Sequence, residues 1–278
     1  MKSGTSLGVH STADIGQNVS LGKGIVIGPH AIIYDNVTIG DDSAIGAQSI
    51  IYENVTIGEH SHIGPRVSIG EPTAELYSSD SYEGAPTYIG ADAIIRSGSI
   101  LYGGCEIGAY FHTGHYAVIR ERTIVGHHVS FGTFAQSDGD CVLGNYVRLH
   151  YATHVCRTAR VGNYVWIFPY TVLTNDIHPP CMLCVEGPTI EDYVVVATHS
   201  VIMPRVKIGT HALIGANSVV TKDVPRESIA IGSPAKIVGL VSSLTCDFGD
   251  RVPTPYPWPT HFVDGYPWEE NGWQAEQD

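Results

Sequence analysis

Val9, Ile15, Leu21, Ile27, Ile33, Ile39, Ile45, Ile51, Ile57, Ile63 and Ile69 recur at every sixth position without a slip. Eight of these eleven are followed by glycine, so the repeat extends beyond one residue per hexad. After an interruption at 71–88 the beat resumes at Ile89, Ile95, Leu101 and Ile107. It then runs through Ile119, Val125, Phe131, Leu143, Leu149, Val155, Val161 and Ile167 to Leu173. A third run holds Ile190, Val196, Ile202, Ile208, Ile214 and Val220. Only Thr113 and Ser137 put a polar residue on the beat. Period six matches neither the 3.6 of a helix nor the alternation of a hairpin strand. It fits a coil of triangular section, with one short strand and one turn per hexad. The aliphatic residue points inward, the small residue two before it fills a corner, and glycine or a polar residue makes the turn. Three hexads close a coil, so residues eighteen apart stack one strand spacing (~4.8 Å) from each other. The array predicts an all-β solenoid of ten to eleven coils, a prism on the order of 50 Å long with one continuous aliphatic core.

Composition narrows the partners. The formal charge of −13 argues against nucleic acid and against an anionic membrane surface. No run of eighteen apolar residues exists, and "MKSGTSLGVH" lacks the regions of a signal peptide, so a cytoplasmic protein is expected. The six cysteines are scattered, which fits a reducing compartment. Cys181 and Cys184 form a lone CxxC with no second pair, and no metal is assigned to it.

The stretch 194–239, "VVVATHSVIMPRVKIGTHALIGANSVVTKDVPRESIAIGSPAKIVG", resembles the acyl-CoA-binding end of the hexapeptide-repeat acyltransferases. That resemblance implies a left-handed parallel β-helix, assembly as a homotrimer, and active sites in the grooves between prisms. It implies that Thr198, Ala216, Thr221 and Lys222 contact CoA, and that Lys236 lies near the nucleotide's phosphate. CoA phosphates call for cations, and these lysines belong to a chain with only fifteen Lys and Arg.

In "PYTVLTNDIHPPC" (169–181) the beat stops and a polar cluster appears. Pro169 and His178 keep the interval by which galactoside- and maltose-type acetyltransferases present their histidine base, so the resemblance makes His178 the general base. The "TND" before it, the segment "TGHYAVIRE" (113–121) and, loosely, "SSLTCDFGDRVPTPYPW" are similar to amino-sugar N-acyltransferases acting on nucleotide-linked sugars. An amine sheds a proton as it attacks a thioester, which suits a histidine near neutral pKa. Asn175 or main-chain N–H groups would hold the oxyanion. Asp176 would orient His178 or bind the substrate ammonium; an Asx-turn that launches a surface loop is the plainer role for "TND".

Stacking arithmetic adds substrate-binding candidates. Glu121, Gly139, Arg157 and Asn175 fall in one column, where Gly139 is expected to leave a notch. Gly114, Gly132, His150 and Phe168 form the neighbouring column, with the glycines expected to leave an open floor below His150. His115 joins the candidates from the similar segment, and a plain ion pair with Arg120 or Arg122 is the alternative for Glu121.

The expected organisation is a β-helix over 1–222 with loop insertions at 71–88 and 175–188. Residues 223–278 form an extension packed on the helix or a neighbouring subunit, with three of the four tryptophans beyond residue 241. The expected function is transfer of a short acyl group, acetyl first, from acyl-CoA to a nucleotide-linked amino sugar, with no metal. A sugar or small-alcohol O-acetyltransferase is the nearest rival. A metal lyase of the γ-carbonic-anhydrase type, using His115, His150 and His154, is a rival of another class, and a non-catalytic scaffold is the fourth reading.

Overall fold

A computed structural model describes residues 8–78, 84–181 and 183–244. The beat residues are the inner residues of short parallel strands, mostly two residues long. The strands stack into three sheets, and the chain visits them in turn. Sheet 1, with thirteen strands, starts at Gly8–Val9; sheet 2, with eleven, at Asp14–Ile15; sheet 3, with ten, at Ser20–Leu21. Register is set by the coil: Val26 pairs with Ala44, Ile32 with Ile50, and Thr38 with Thr56, each eighteen residues on.

The core is the column of beat residues. Ile27, Ile33, Ile39, Ile51, Ile95, Leu101, Ile119 and Ile167 are all at most 1 % exposed. Each such side chain contributes about 1.5–3 kcal/mol relative to an exposed one. The small residues two before the beat fill the corners: Ala31 and Ser49 are fully buried. The two polar beat residues are satisfied inside. Thr113 Oγ1 accepts from the Arg96 N–H at 2.8 Å, and Ser137 Oγ lies 3.2 Å from Thr123 Oγ1.

The turns are mostly made by polar and aromatic residues. The third residue after the beat takes the left-handed conformation, and it is mostly Asn, Asp, His, Tyr or Arg, as at Asn18, His30 and Asn36. Glycine directly after the beat serves a different need. At Gly28 an added Cβ would lie 2.7 Å from the main-chain nitrogen of Ala47 in the next coil, so that glycine is there for close approach.

Both interruptions leave from the edge between sheets 2 and 3. The first follows the strand Ser68–Glu71, includes the short helical turn Ala74–Tyr77, and rejoins at Thr87–Ile89. The second follows Val172–Leu173 and rejoins at Thr189–Ile190. Register survives both: Val55 pairs with Thr87, and Arg160 with Thr189. Along the edge between sheets 3 and 1, Tyr110, His128, Tyr146, Tyr164, Tyr193 and His211 stack in sequence, with ring centroids 4.4–4.9 Å apart. This ladder crosses the second insertion without a gap.

The helix closes on a hairpin, Ser228–Gly232 with Ala235–Leu240, whose first strand pairs with Leu213–Ile214 of sheet 1. The expected draping of the Trp-rich tail concerns residues outside those described, from 245 on. Among the described residues, no helix is long and apolar enough to cross a membrane.

Candidate functional site

The coil sorts the candidate residues onto the two edges that flank the outer face of sheet 2. His115, His150, Thr198 and Ala216 follow sheet 1 strands and lie on the edge between sheets 1 and 2. Glu121, Arg157, Asn175, Asp176, Thr221 and Lys222 follow sheet 2 strands and lie on the edge between sheets 2 and 3, where the insertion that carries His178 also departs. Thr198 and Ala216 are one coil apart. Lys222 stands two coils beyond the departure of the His178 insertion, about 10 Å along the axis. Lys236 is set apart on the terminal hairpin, opposite Ile231.

The loop at 175–188 is tied at its base. Asn175 donates its side-chain amide to the Arg157 carbonyl at 3.2 Å, and its own carbonyl accepts from the Glu186 N–H at 2.8 Å. Asp176 pairs with Val185 in an antiparallel bridge, and its Oδ1 accepts the His178 N–H at 2.9 Å. That last bond is the Asx-turn, so Asp176 shapes the main chain at His178 in this chain. The His178 carbonyl accepts from the Cys181 N–H at 2.8 Å, and residues 177–180 are exposed. His178 is thus held at the tip of a braced turn.

The column of Glu121, Gly139, Arg157 and Asn175 forms, but without a notch. A Cβ at Gly139, whose φ is +89°, would lie 2.8 Å from the Glu121 carbonyl oxygen. Glu121 is buried and bound by Arg120 through two bonds, Nε to Oε2 at 2.9 Å and Nη2 to Oε1 at 3.1 Å. The ion-pair alternative therefore describes Glu121. Arg122 and Arg157 share Asp140, at 2.6 Å each. Arg122 beside Asp140 holds that carboxyl below the usual range.

The expected floor under His150 is closed as well. A Cβ at Gly114 would collide with the Thr133 main-chain nitrogen, and one at Gly132 would meet the His150 carbonyl carbon at 2.5 Å. These glycines let successive coils touch. His150 stacks on Phe168 at 4.6 Å, and its Nε2 is buried without a hydrogen-bond partner among the described residues. Burial, with the Arg148 charge nearby, pushes its imidazole down, so it is neutral at neutral pH. His115 is exposed and bonded through Nδ1 to Ser97 Oγ at 2.9 Å, about two coils from His150.

Of the proposed CoA contacts, Thr198 donates its hydroxyl to the Pro169 carbonyl at 2.7 Å and is half-buried. Ala216, Thr221, Lys222 and Lys236 are exposed.

Sequence reasoning missed one pair. His154 Nε2 lies 2.9 Å from Asp138 Oδ2, while its Nδ1 lies 3.3 Å from the Leu173 carbonyl. His154 faces outward from the strand His154–Val155 of sheet 2, and Asp138 turns off the strand Gln136–Ser137 one coil earlier. Its signal was a polar residue facing out of a strand, eighteen residues after an outward Gln136 and sixteen after a corner carboxylate. The three histidines of the metal reading do not converge, because His115 and His150 occupy the opposite edge and His154 is bound on both ring nitrogens. Among the described residues, no group of three or more His, Cys, Asp or Glu is placed to share a metal ion. A depression of about 420 Å³ bordered by Arg160, Glu191, Asp192 and Thr210 lies on the sheet 3 side, away from these candidates.

Comparison with known proteins agrees with the repeat. The bacterial transferase hexapeptide family (six repeats) matches residues 36–71 and 187–222. A 2,3,4,5-tetrahydropyridine-2,6-dicarboxylate N-acetyltransferase of Staphylococcus aureus is 34 % identical over 83 residues, 30 % of this chain and 34 % of that protein. The chain thus spans about a third of the length of the curated relatives it matches. Among solved structures, the Arabidopsis UDP-N-acetylglucosamine acyltransferase is similar at 20 % identity and a TM-score of 0.47, over 84 % of this chain and 74 % of that one. PerB from Caulobacter crescentus, solved with CoA and GDP-perosamine, is similar at 21 % identity and a TM-score of 0.33, over 51 % of this chain and 57 % of that one. The six-residue beat, the three-sheeted coil that the beat builds and the match of two stretches to hexapeptide repeats make the fold a hexapeptide-repeat, left-handed parallel β-helix.

Proposed function

We propose that the protein is an acyltransferase that moves a short acyl group, acetyl first, from acyl-CoA to the amino group of a nucleotide-linked amino sugar. One observation carries this reading. Thr198 and Ala216 on one edge, and Thr221 and Lys222 on the other, flank the same face of sheet 2, and the braced loop bearing His178 leaves that face two coils away. Acyl donor and base are therefore candidates for one groove. The local likeness to an N-acetyltransferase supports the choice of an amine as acceptor.

In this reading Lys222 and Lys236 bind CoA phosphates, Thr198 and Ala216 flank the pantetheine arm, and Thr221 adjoins Lys222. His178 accepts the proton that the amine sheds, and Asn175 or main-chain N–H groups stabilise the oxyanion. Arg157, His150 and His115 line the acceptor side, with Arg157 offering a guanidinium to the diphosphate, while Glu121 braces Arg120. The exposed tip at 177–180 suits a groove completed by a neighbouring prism, so the working unit is a homotrimer in the cytoplasm.

The test is a thiol-release screen of several acyl-CoAs against a panel of nucleotide amino sugars, beside the same panel with hydroxyl in place of the amine. Release with the amino sugars supports N-acyl transfer. Release with the hydroxyl panel alone would assign an O-acyltransferase, and no release with either would overturn both.

A further inference from the structure

We propose that Asp138 is the carboxylate that receives the acceptor's ammonium group, and that His154 is the residue that positions it. The inference rests on the N-acyl transfer reading and assigns a part of that site which the family motifs leave open.

The geometry has three parts. First, His154 is fixed from both sides: Nε2 faces Asp138 Oδ2 at 2.9 Å and Nδ1 faces the Leu173 carbonyl at 3.3 Å. A carboxylate and a carbonyl can only accept, so both ring nitrogens donate and the ring is an imidazolium. The hydrogen bond to Asp138 pushes the imidazole up, and the same bond pulls the Asp138 carboxyl down, so each partner favours the charged form of the other.

Second, Asp138 has an oxygen to spare. Glu121 is bound through both oxygens by Arg120, and Asp140 through both by arginines. Asp138 spends Oδ2 on His154, and its Oδ1 makes no hydrogen bond among the described residues. Its side chain is 38 % exposed, enough to be reached from the face of sheet 2. The other titratable groups around it do not compete. Arg120 adds a positive charge but is engaged with Glu121, and burial pushes the Cys141 and Cys156 thiols up, so both are neutral.

Third, the pair is joined to the loop. Leu173, which holds His154, is the last strand residue before the chain departs toward Asn175, Asp176 and His178. The clamp on Asp138 and the candidate base thus share one anchor.

The chemistry follows from charge. An alkylammonium bound to Asp138 Oδ1 sits on a carboxylate that already holds an imidazolium, so each cation weakens the other's hold on its proton. The ammonium then gives up a proton to the base, and its freed lone pair attacks the thioester carbonyl carbon. A C–N bond forms, the tetrahedral intermediate collapses with cleavage of the C–S bond, and the CoA thiolate leaves. The second nitrogen proton compensates that thiolate, giving amide, free thiol and one proton.

The test uses the best amino sugar from the screen, with its hydroxyl analogue as a competitive inhibitor. Asp138→Asn should raise KM for the amino sugar about 10- to 100-fold. KM for acyl-CoA and the inhibition constant of the hydroxyl analogue should stay within about twofold. Asp138→Glu should restore part of the loss. His154→Gln should shift the low-pH limb of kcat/KM to higher pH, because Asp138 loses its cation. A readout without mutation guards against misfolding: in the wild type, saturating amino sugar should lower the His154 pKa measured by NMR, whereas the hydroxyl analogue should not. If the wild type turns over the amino sugar but Asp138→Asn leaves its KM unchanged, or raises both constants equally, the inference is overturned while the N-acyl reading stands. An unmoved His154 titration overturns it in the same way. A wild type that releases thiol with no amine in the panel sinks the reading and the inference together.

Discussion

Asn175 donates its side-chain amide to the carbonyl oxygen of Arg157, eighteen residues earlier, and so pins the root of the second insertion to the coil beneath it. The loop begins from a fixed point on the same edge that holds the Arg122–Asp140–Arg157 cluster. Four consequences can be measured.

His178→Asn should lower turnover about 10²- to 10⁴-fold if its ring is the base. Its side chain is exposed and the turn around it is held by main-chain groups and Asp176, so the melting temperature should not move. The pH profile of turnover decides the matter. Persistence in the mutant of a low-pH limb near the ordinary histidine value (~6.5) would assign the base elsewhere.

Lys222→Ala and Lys236→Ala should each weaken acyl-CoA binding, since a charge-assisted hydrogen bond to phosphate contributes about 1.5–3 kcal/mol. Both residues are exposed, so folding should be unaffected. Titration of the two variants with acyl-CoA tests the assignment, and unchanged dissociation constants in both would remove it.

Gly132→Ala should destabilise the helix by about 1–3 kcal/mol, because the new methyl group would meet the carbonyl carbon of His150 at 2.5 Å, with main chain that cannot swing away. Gly103→Ala is the control. Its nearest neighbour would be the Ala85 carbonyl at 3.6 Å, and the expected change is within about 0.5 kcal/mol. Denaturant midpoints of the two variants compare them directly.

The Asp138–His154 pair should stabilise the fold within a pH window. The Asp138 carboxyl is lowered, so its contribution is present above the ordinary Asp value and fades as pH falls through the folded one. The His154 imidazole is raised, so its contribution is present below about 6.5 and fades as pH rises through the folded value. Asp138→Asn should therefore cost most between about pH 4 and 6.5. With both side chains partly in solvent, the cost should be about 1 kcal/mol. Melting temperatures of wild type and variant across pH check this, and a difference that grows above pH 8 would contradict it.

The coil was legible in the sequence because each hexad repeats one physical demand: an inward aliphatic side chain, with a small residue at the corner. Ile27, Ile45 and Ile63 needed no three-dimensional knowledge, and the eighteen-residue stacking located Glu121, Arg157 and Asn175 on one column before any coordinates. Distances within a column were misjudged. Gly114, Gly132 and Gly139 read as missing side chains and hence as space, whereas the coils close in until main chain fills that space. The turn was read as glycine or a polar residue, and the left-handed position is mostly filled by the polar kind, since Asn, Asp and His accept that conformation too. The Asp138–His154 pair escaped notice because its partners are sixteen residues apart, two short of the stacking interval, so a search along columns passes between them.

The second insertion carries paired strands from 18 to 29 residues apart, and the first from 18 to 32, excesses of eleven and fourteen. Neither excess is a multiple of six. The aromatic ladder nevertheless runs from Tyr164 to Tyr193 with its rings 4.9 Å apart and nearly parallel. The helix therefore does not count residues; it counts returns to the edge. A segment of almost any length can be spliced into an edge, provided its two ends meet where one hexad's would, and every coil beyond it forms as if nothing had been added. Such a scaffold separates inheritance of shape from invention of chemistry. Its core can stay as it is, while the loops at its edges are free to lengthen, shorten and exchange their cargo of reactive side chains.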